Sequence, residues 1–198
     1  MIEILKNLSD EDLVKKVREG NDKAFEILVK RYEAKIYALI LRFIDNQSTA
    51  SDILQETFLK VYRSLNNFRG DAKFSTWLYK IAVNFCLMYK RKKGKTVSLD
   101  SPVNSDSGEE IKRELPDWSI TPEVSTENIE LRKKLEGAIS MLSEEYKSVI
   151  ILHDIQGLSN KEVSRILNIS IPAVKSRVHR ARLFLREKLS EYFKQTYD

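Results

Sequence analysis

The side chains of this chain best suited to specific chemistry with a polyanion lie on one short stretch: Lys175, Ser176, Arg177, His179, Arg180 and Arg182. Arginine and lysine reach both phosphate oxygens and guanine edges, and a serine hydroxyl either donates or accepts at a base edge. A second set follows a different recipe. Phe68, Phe74, Trp77, Tyr79, Phe85 and Tyr89 are interleaved with Arg69, Lys73, Lys80 and the run Lys90-Arg91-Lys92-Lys93. Cations that track a backbone, together with rings on which bases stack, hold single-stranded nucleic acid. Two plainer explanations compete. Phe74, Trp77, Leu78 and Ile81 share a helical face, so Trp77 also fits a core position, and cations near a helix C-terminus are favoured by the helix dipole.

Other chemistries lack their residues. There is no GxxxxGKS/T phosphate loop, and His153 and His179 have no metal-ligand spacing. The single cysteine, Cys86, sits among apolar residues and reads as packing; no disulfide can form within the chain. The sequence therefore predicts binding rather than catalysis, with no catalytic residue, no metal and no cofactor.

The elements that must position these residues are helices. The 198 residues are 42% hydrophobic and 32% charged, with only 6 glycines and 4 prolines, and the apolar residues recur at helical spacing. We expect an all-α fold of two small helical domains joined by a flexible acidic linker. No apolar run is long enough to span a bilayer, and MIEILKNLSDED lacks the basic-then-apolar order of a signal peptide, so a cytoplasmic protein without membrane insertion is expected. Net charge is +5, unevenly spread: residues 94–127 carry eight acids against three bases, or −5, which leaves +10 on the rest. Two basic modules flanking an acidic connector suit a polyanionic partner.

In the first module, Ser9 with Asp12 opens a short helix over 10–19, ended by Gly20. Asn21 or Asp22 caps a long second helix whose buried face is Phe25, Leu28, Val29, Tyr32, Ile36, Leu39, Ile40 and Phe43. A third starts at Ser48 or Thr49, turning Ala50, Ile53, Leu54, Phe58, Val61 and Leu65 inward and Asp52, Gln55, Glu56, Leu59 and Arg63 outward. A loop at 66–73 turns at Gly70. A fourth helix, capped by Ser75 or Thr76, ends in the basic cluster before Gly94. The stretch 96–127, with three of the four prolines, reads as the linker, with at most a turn of helix near Glu109–Glu114.

In the second module, Leu131, Leu135, Ala138, Ile139 and Leu142 form one helix. Ser143 caps another that turns Tyr146, Val149, Ile150 and His153 inward and stops at Gly157. A helix-turn-helix follows. Ser159 with Glu162 is a capping box, and Leu158 with Val163 sits at the staple positions. Asn168 suits the left-handed turn, Ser170 caps the second helix, and Pro172 falls in its first turn. Val174, Val178, Ala181 and Leu185 make its buried stripe, which leaves the cationic face out, as entry into a major groove requires.

Taken in order, AFEILVKRYEAKIYALILRF, SDILQETFLKVYRSLNNFRG, KFSTWLYKIAVN and LSEEYKSVIILHDIQGLSNKEVSRILNISIPAVKSRVHRAR resemble a bacterial RNA polymerase sigma factor of the extracytoplasmic-function class, a branch of the sigma-70 superfamily. The resemblance implies a region 2 domain at 1–93, a linker at 94–127 and a region 4 domain at 128–198. It implies docking of Asp52, Gln55, Glu56 and Leu59 on the β′ clamp helices of core polymerase, with the β flap as a further contact. The minus-ten element would be recognised and melted by Arg69, Lys73, Trp77, Lys80, Asn84, Lys90 and Arg91, with an extruded base held in the loop at 66–73. Lys175, Ser176, Arg177, His179 and Arg180 would meet the minus-thirty-five element. A free monomer and an anti-sigma factor as regulator are also implied. One position departs from the family's usual pattern: an acid commonly lies four residues after the asparagine matched by Asn84, and here that residue is Met88.

Two other readings fit parts of the chain. A dimeric helix-turn-helix regulator would bind an operator without docking on polymerase, and a helical adaptor would bind an acidic protein. Neither has a use for the DILQET helix or the aromatic-basic helix.

Overall fold

A computed structural model of the chain describes residues 5–97 and 126–197, with side chains described for 5–93, 131 and 133–190. Among the described residues there is no strand. The N-terminal module contains α1 (Asp10–Arg18), α2 (Asp22–Phe43), α3 (Gln47–Ser64), a 3₁₀ turn (Leu65–Asn67) and α4 (Phe74–Val97). The C-terminal module contains α5 (Thr126–Ser140), α6 (Glu144–Ile150), a π-helical turn (Ile151–Ile155), α7 (Asn160–Leu167) and α8 (Ile171–Tyr197).

Local capping sets most helix starts. Ser9 accepts from the Asp12 N–H at α1, and Asn21 from the Ala24 N–H at α2. The start of α3 differs from expectation: Asn46, not Ser48 or Thr49, accepts from the Thr49 N–H at 2.8 Å. Asn is among the best N-caps, and its side chain takes the N–H three residues on, which starts the helix before either hydroxyl residue can cap it. At α4 the expected caps are also wrong. The helix already includes Phe74, and Thr76 is buried inside it. Nor does Gly94 stop α4, which continues to Val97; a single glycine weakens a helix by about 1 kcal/mol without forbidding it. In the C-terminal module α5 already begins at Thr126, inside the stretch assigned to the linker. The remainder of that linker, 98–125, and the turn expected near Glu109–Glu114 lie outside the described residues.

The core of the N-terminal module is where periodicity put it. Leu28, Ile36, Leu39, Ile40 and Phe43 of α2 meet Ala50, Ile53, Phe58 and Val61 of α3 and Phe74, Leu78, Ala82 and Val83 of α4. Phe25, Val29 and Leu54 are only partly buried. Thr57, fully buried in the α3 face, satisfies its hydroxyl by donating to the Ile53 carbonyl at 2.7 Å.

The arrangement of the two modules was not expected. They are packed together, α4 of the first lying along α7 of the second. Val149, Ile151, Leu152, Val163, Ile166, Val174 and Val178 belong to the same continuous apolar cluster as the N-terminal core. A smaller cluster of Ala138, Ile139, Leu142, Ile150, Ala181 and Leu185 holds α5 and α6 against α8. Amphipathic periodicity locates an apolar face but does not name its partner, and here α4 has apolar residues on two faces.

Candidate nucleic-acid and partner interfaces

Four residues of α3, Asp52, Gln55, Glu56 and Leu59, follow one another at spacings of three, one and three, which places them on a single face. All four are exposed, and Leu59 keeps 50% of its surface open to solvent. The opposite face anchors the helix through Ile53, Thr57, Phe58 and Val61. An exposed leucine flanked by two carboxylates and an amide is a surface suited to a partner.

The loop that follows is held at its root. Arg18 of α1 donates through Nε and Nη2 to the Leu65 carbonyl, at 3.3 and 3.0 Å, and through Nη2 to the Phe68 carbonyl. Phe68 is buried, its ring centroid 6.0 Å from Phe74 and 5.2 Å from Trp77. Beyond it Arg69, Gly70, Asp71 and Lys73 are exposed, and Gly70 adopts φ +78°, a backbone state that L-residues rarely take. Trp77 is half-buried against Phe68 and Phe74, so its ring is largely structural packing at the edge of the loop. Along α4, Asn84, Met88 and Arg91 form an exposed row, while Lys80 and Lys90 are half-buried. The predicted minus-ten residues therefore gather on the loop and on two faces of α4.

In the helix-turn-helix the expected punctuation is present. Ser159 Oγ accepts from the Glu162 N–H at 3.3 Å, and the Glu162 carboxylate accepts from the Ser159 N–H at 2.9 Å. Asn168 is the one non-glycine residue with positive φ among the described residues, at +55°. Ser170 Oγ accepts from the Ala173 N–H at 3.3 Å, and Val174, Val178, Ala181 and Leu185 are buried. Lys175, Ser176, His179 and Arg180 are exposed along α8. Arg177 is partly turned back, with Nη2 3.0 Å from Glu145 Oε2. His153, expected to face inward, is only half-buried and bonds Asp154 through Nδ1 at 2.6 Å. Arg182, on the cationic face by sequence, is instead turned to the same Asp154, donating from Nε and Nη2 at 2.9 and 2.7 Å. That bidentate bond holds the Asp154 carboxyl below the usual carboxylate range and braces α8 against the π-helical turn.

The two modules meet through polar contacts between residues far apart in the chain, which no local pattern pairs. Lys90 Nζ lies 2.5 Å from Glu144 Oε1, and Tyr79 donates to Gln156 Oε1 at 3.4 Å. Thr76 donates to Glu162 Oε1 at 3.3 Å, and Arg165 donates to the Asp71 carbonyl at 3.0 Å. Glu162 titrates below the usual range. Its bonds from Ser159 dominate, with Lys73 and Thr76 adding to them. Thr76, Tyr79, Val83, Cys86 and Lys90 share one face of α4 by register, and Cys86 is wholly buried there. Burial pushes its thiol up to about 12, with Glu144 adding to the shift and Lys90 opposing it. A packing role for Cys86 agrees with the sequence, although what it packs near is the second module. Among the described residues no group of histidine, cysteine and carboxylate side chains could hold a metal, and no helix is long and apolar enough to cross a membrane.

Comparison with known proteins bears on the whole chain. Sigma-70 region 2 matches residues 28–96, and sigma-70 region 4 matches residues 132–185. The chain is 36% identical to the ECF RNA polymerase sigma factor SigW of Bacillus subtilis, over 90% of this chain and 95% of that protein. It is 34% identical to the ECF RNA polymerase sigma-E factor of Haemophilus influenzae, over 92% of this chain and 96% of that protein. Its fold is similar to that of the sigma factor RpoE solved in complex with the anti-sigma factor NepR from Bartonella quintana. There the TM-score is 0.67 and the identity 24%, covering 85% of this chain and 98% of that one. Two matching regions and relatives of nearly full length agree on one conclusion: the chain belongs to the extracytoplasmic-function sigma factors, which direct promoter-specific initiation by core RNA polymerase.

Proposed function

We propose that residues 1–93 are the polymerase-docking and minus-ten module and residues 128–198 the minus-thirty-five module, with 94–127 as the tether. Asp52, Gln55, Glu56 and Leu59 dock on the β′ clamp helices. The observation that carries this reading is the open face of α3, where a half-exposed leucine sits among polar side chains while the opposite face is buried. The exposed Arg69, Lys73, Asn84 and Arg91, with Lys80, Lys90 and the edge of Trp77, take the minus-ten strand. A base extruded from the duplex enters the loop at 66–73. Lys175, Ser176, Arg177, His179 and Arg180 enter the major groove at the minus-thirty-five element, and region 4 also contacts the β flap. Phosphate contacts supply salt-dependent affinity, and base contacts supply sequence. Melting proceeds by capture of unpaired bases. The tether raises the effective concentration of the second contact once the first is made.

The free factor is a cytoplasmic monomer, regulated by an anti-sigma factor; the structural relative from Bartonella quintana, solved with such a partner, supports the regulation. The test is run-off transcription with purified core polymerase, a library of promoter fragments, and the protein alongside a Gln55→Ala/Glu56→Ala variant. Promoter-specific transcripts that need the protein and weaken in the variant support the assignment. A protein that adds no specificity to core and alone protects a palindromic site would overturn it in favour of the dimeric regulator.

A further inference from the structure

Arg18 ends α1 and is engaged far from it in the sequence. All three of its hydrogen bonds go to carbonyls at the root of the loop at 66–73, two to Leu65 and one to Phe68. These carbonyls follow the last turn of α3, where a helix runs out of its own N–H donors. The backbone itself supplies a bond to Leu65 alone, from the Phe68 N–H at 3.1 Å. A guanidinium is a planar fork, so bonds to two carbonyls at once fix their separation and direction together, and its charge makes both bonds stronger than a neutral donor would.

The helix that carries Arg18 is itself held. Leu13 and Val14 are buried in its inner face. At its first turn Asp10 accepts from Arg31 at 2.5 Å and from the Tyr32 hydroxyl, both on α2. Arg31 also donates to the Lys6 and Leu8 carbonyls, each at 3.0 Å. One end of α1 is therefore pinned to α2 while the other grips the loop root. Phe68 is fixed a second time by its ring, against Phe74 and Trp77, whereas Arg69, Gly70, Asp71 and Lys73 beyond it are exposed. Sigma-70 region 2 matches this chain only from residue 28, so α1 stands outside the matched stretch.

We infer, resting on the assignment of this loop to the minus-ten element, that Arg18 is a positioning residue for promoter recognition: from α1 it holds the loop root in the shape that receives an extruded base, without touching DNA itself. A loop ordered beforehand loses less freedom when the base enters, so the benefit appears as selectivity for that base rather than as general affinity.

The experiment measures binding of holoenzyme, assembled from purified core polymerase, to a fluorescein-labelled non-template strand with the minus-ten sequence that wild type selects from the promoter library. In a series of such strands an abasic site replaces one base at a time. Wild type should lose about tenfold in affinity at one position, that of the extruded base. Arg18→Ala should shrink that penalty by about threefold or more and leave the smaller penalties elsewhere as in wild type. Arg18→Lys keeps the charge but is a point donor that cannot span both carbonyls, so its penalty should fall between the two. Lys15→Ala removes one positive charge from an exposed site on the same helix and should match wild type. If Arg18→Ala does not fold, Arg18→Lys decides by the same comparison. A folded Arg18 variant that binds every strand more weakly by one common factor would overturn the inference, and so would an unchanged profile. A wild type with no dominant position would reject the loop assignment itself, and the role of Arg18 with it; a dominant position that survives in the variants would reject Arg18 alone.

Discussion

The N-terminal and C-terminal modules are both small helical units, yet they are stabilised differently. In the first, large side chains are buried around one deep centre; Leu13, Leu28, Ile36, Leu39, Ile40, Phe43, Phe74 and Leu78 are all almost completely hidden. In the second, one part of the apolar surface merges with the neighbouring module, and the remainder is a cluster of only six buried residues. A short domain has a high ratio of surface to volume, so it depends more on caps, turns and borrowed burial.

The largest test of this contrast is Phe43→Ala, which empties the deep centre and should cost about 3–5 kcal/mol. Hydrogen exchange read by mass spectrometry should show lost protection across α2, α3 and α4. Leu185→Ala in the small cluster should cost about 2–3 kcal/mol, with the loss confined to α5, α6 and α8. If Leu185→Ala instead exposed α2, the modules would be one cooperative unit and the contrast would fail. Turn chemistry is next in size. Asn168→Val places a β-branched residue at φ +55° and should cost about 1–2 kcal/mol, while Asn168→Gly should leave the urea midpoint nearly unchanged. Removing the cap with Ser159→Ala should cost about 1 kcal/mol, again visible only in the C-terminal module.

The smallest effect is a pH dependence. Glu162 and Asp154 both titrate below the usual carboxylate range in the folded chain. A depressed folded value means that their contribution is complete above the unfolded value, about pH 4, and is lost as pH falls through the folded one. Acidification below about pH 4 should therefore lower the urea midpoint of the C-terminal module, and Glu162→Gln should blunt that fall. A fall of the same size in the variant would show that other carboxylates carry it.

Much of the site was legible because its signals are local. The capping box at Ser159 and Glu162, the left-handed Asn168 and the buried stripe of α8 each depend on residues within a turn or two of one another, so spacing alone determines them. The outward face of α3 was legible for the same reason. The sequence pointed less well to the start of α4, where Thr76 looked like a cap and is instead a buried donor to a residue far along the chain. It could not decide Trp77, because a helical face predicts burial without saying what covers it.

By itself, the sequence determined the helical class, the order of the elements, the placement of the cationic and aromatic residues, and the motifs that mark a sigma factor. All of these follow from periodicity, capping and residue chemistry along the chain. Only the tertiary structure decided that the two modules pack together, that Lys90 pairs with Glu144 and Thr76 with Glu162 between them, and that Cys86 is fully buried in the shared core. The physical reason is that an apolar face or a carboxylate fixes what kind of partner it needs. Which of the many partners of that kind it meets is set by the packing of distant segments, and no local pattern encodes that choice.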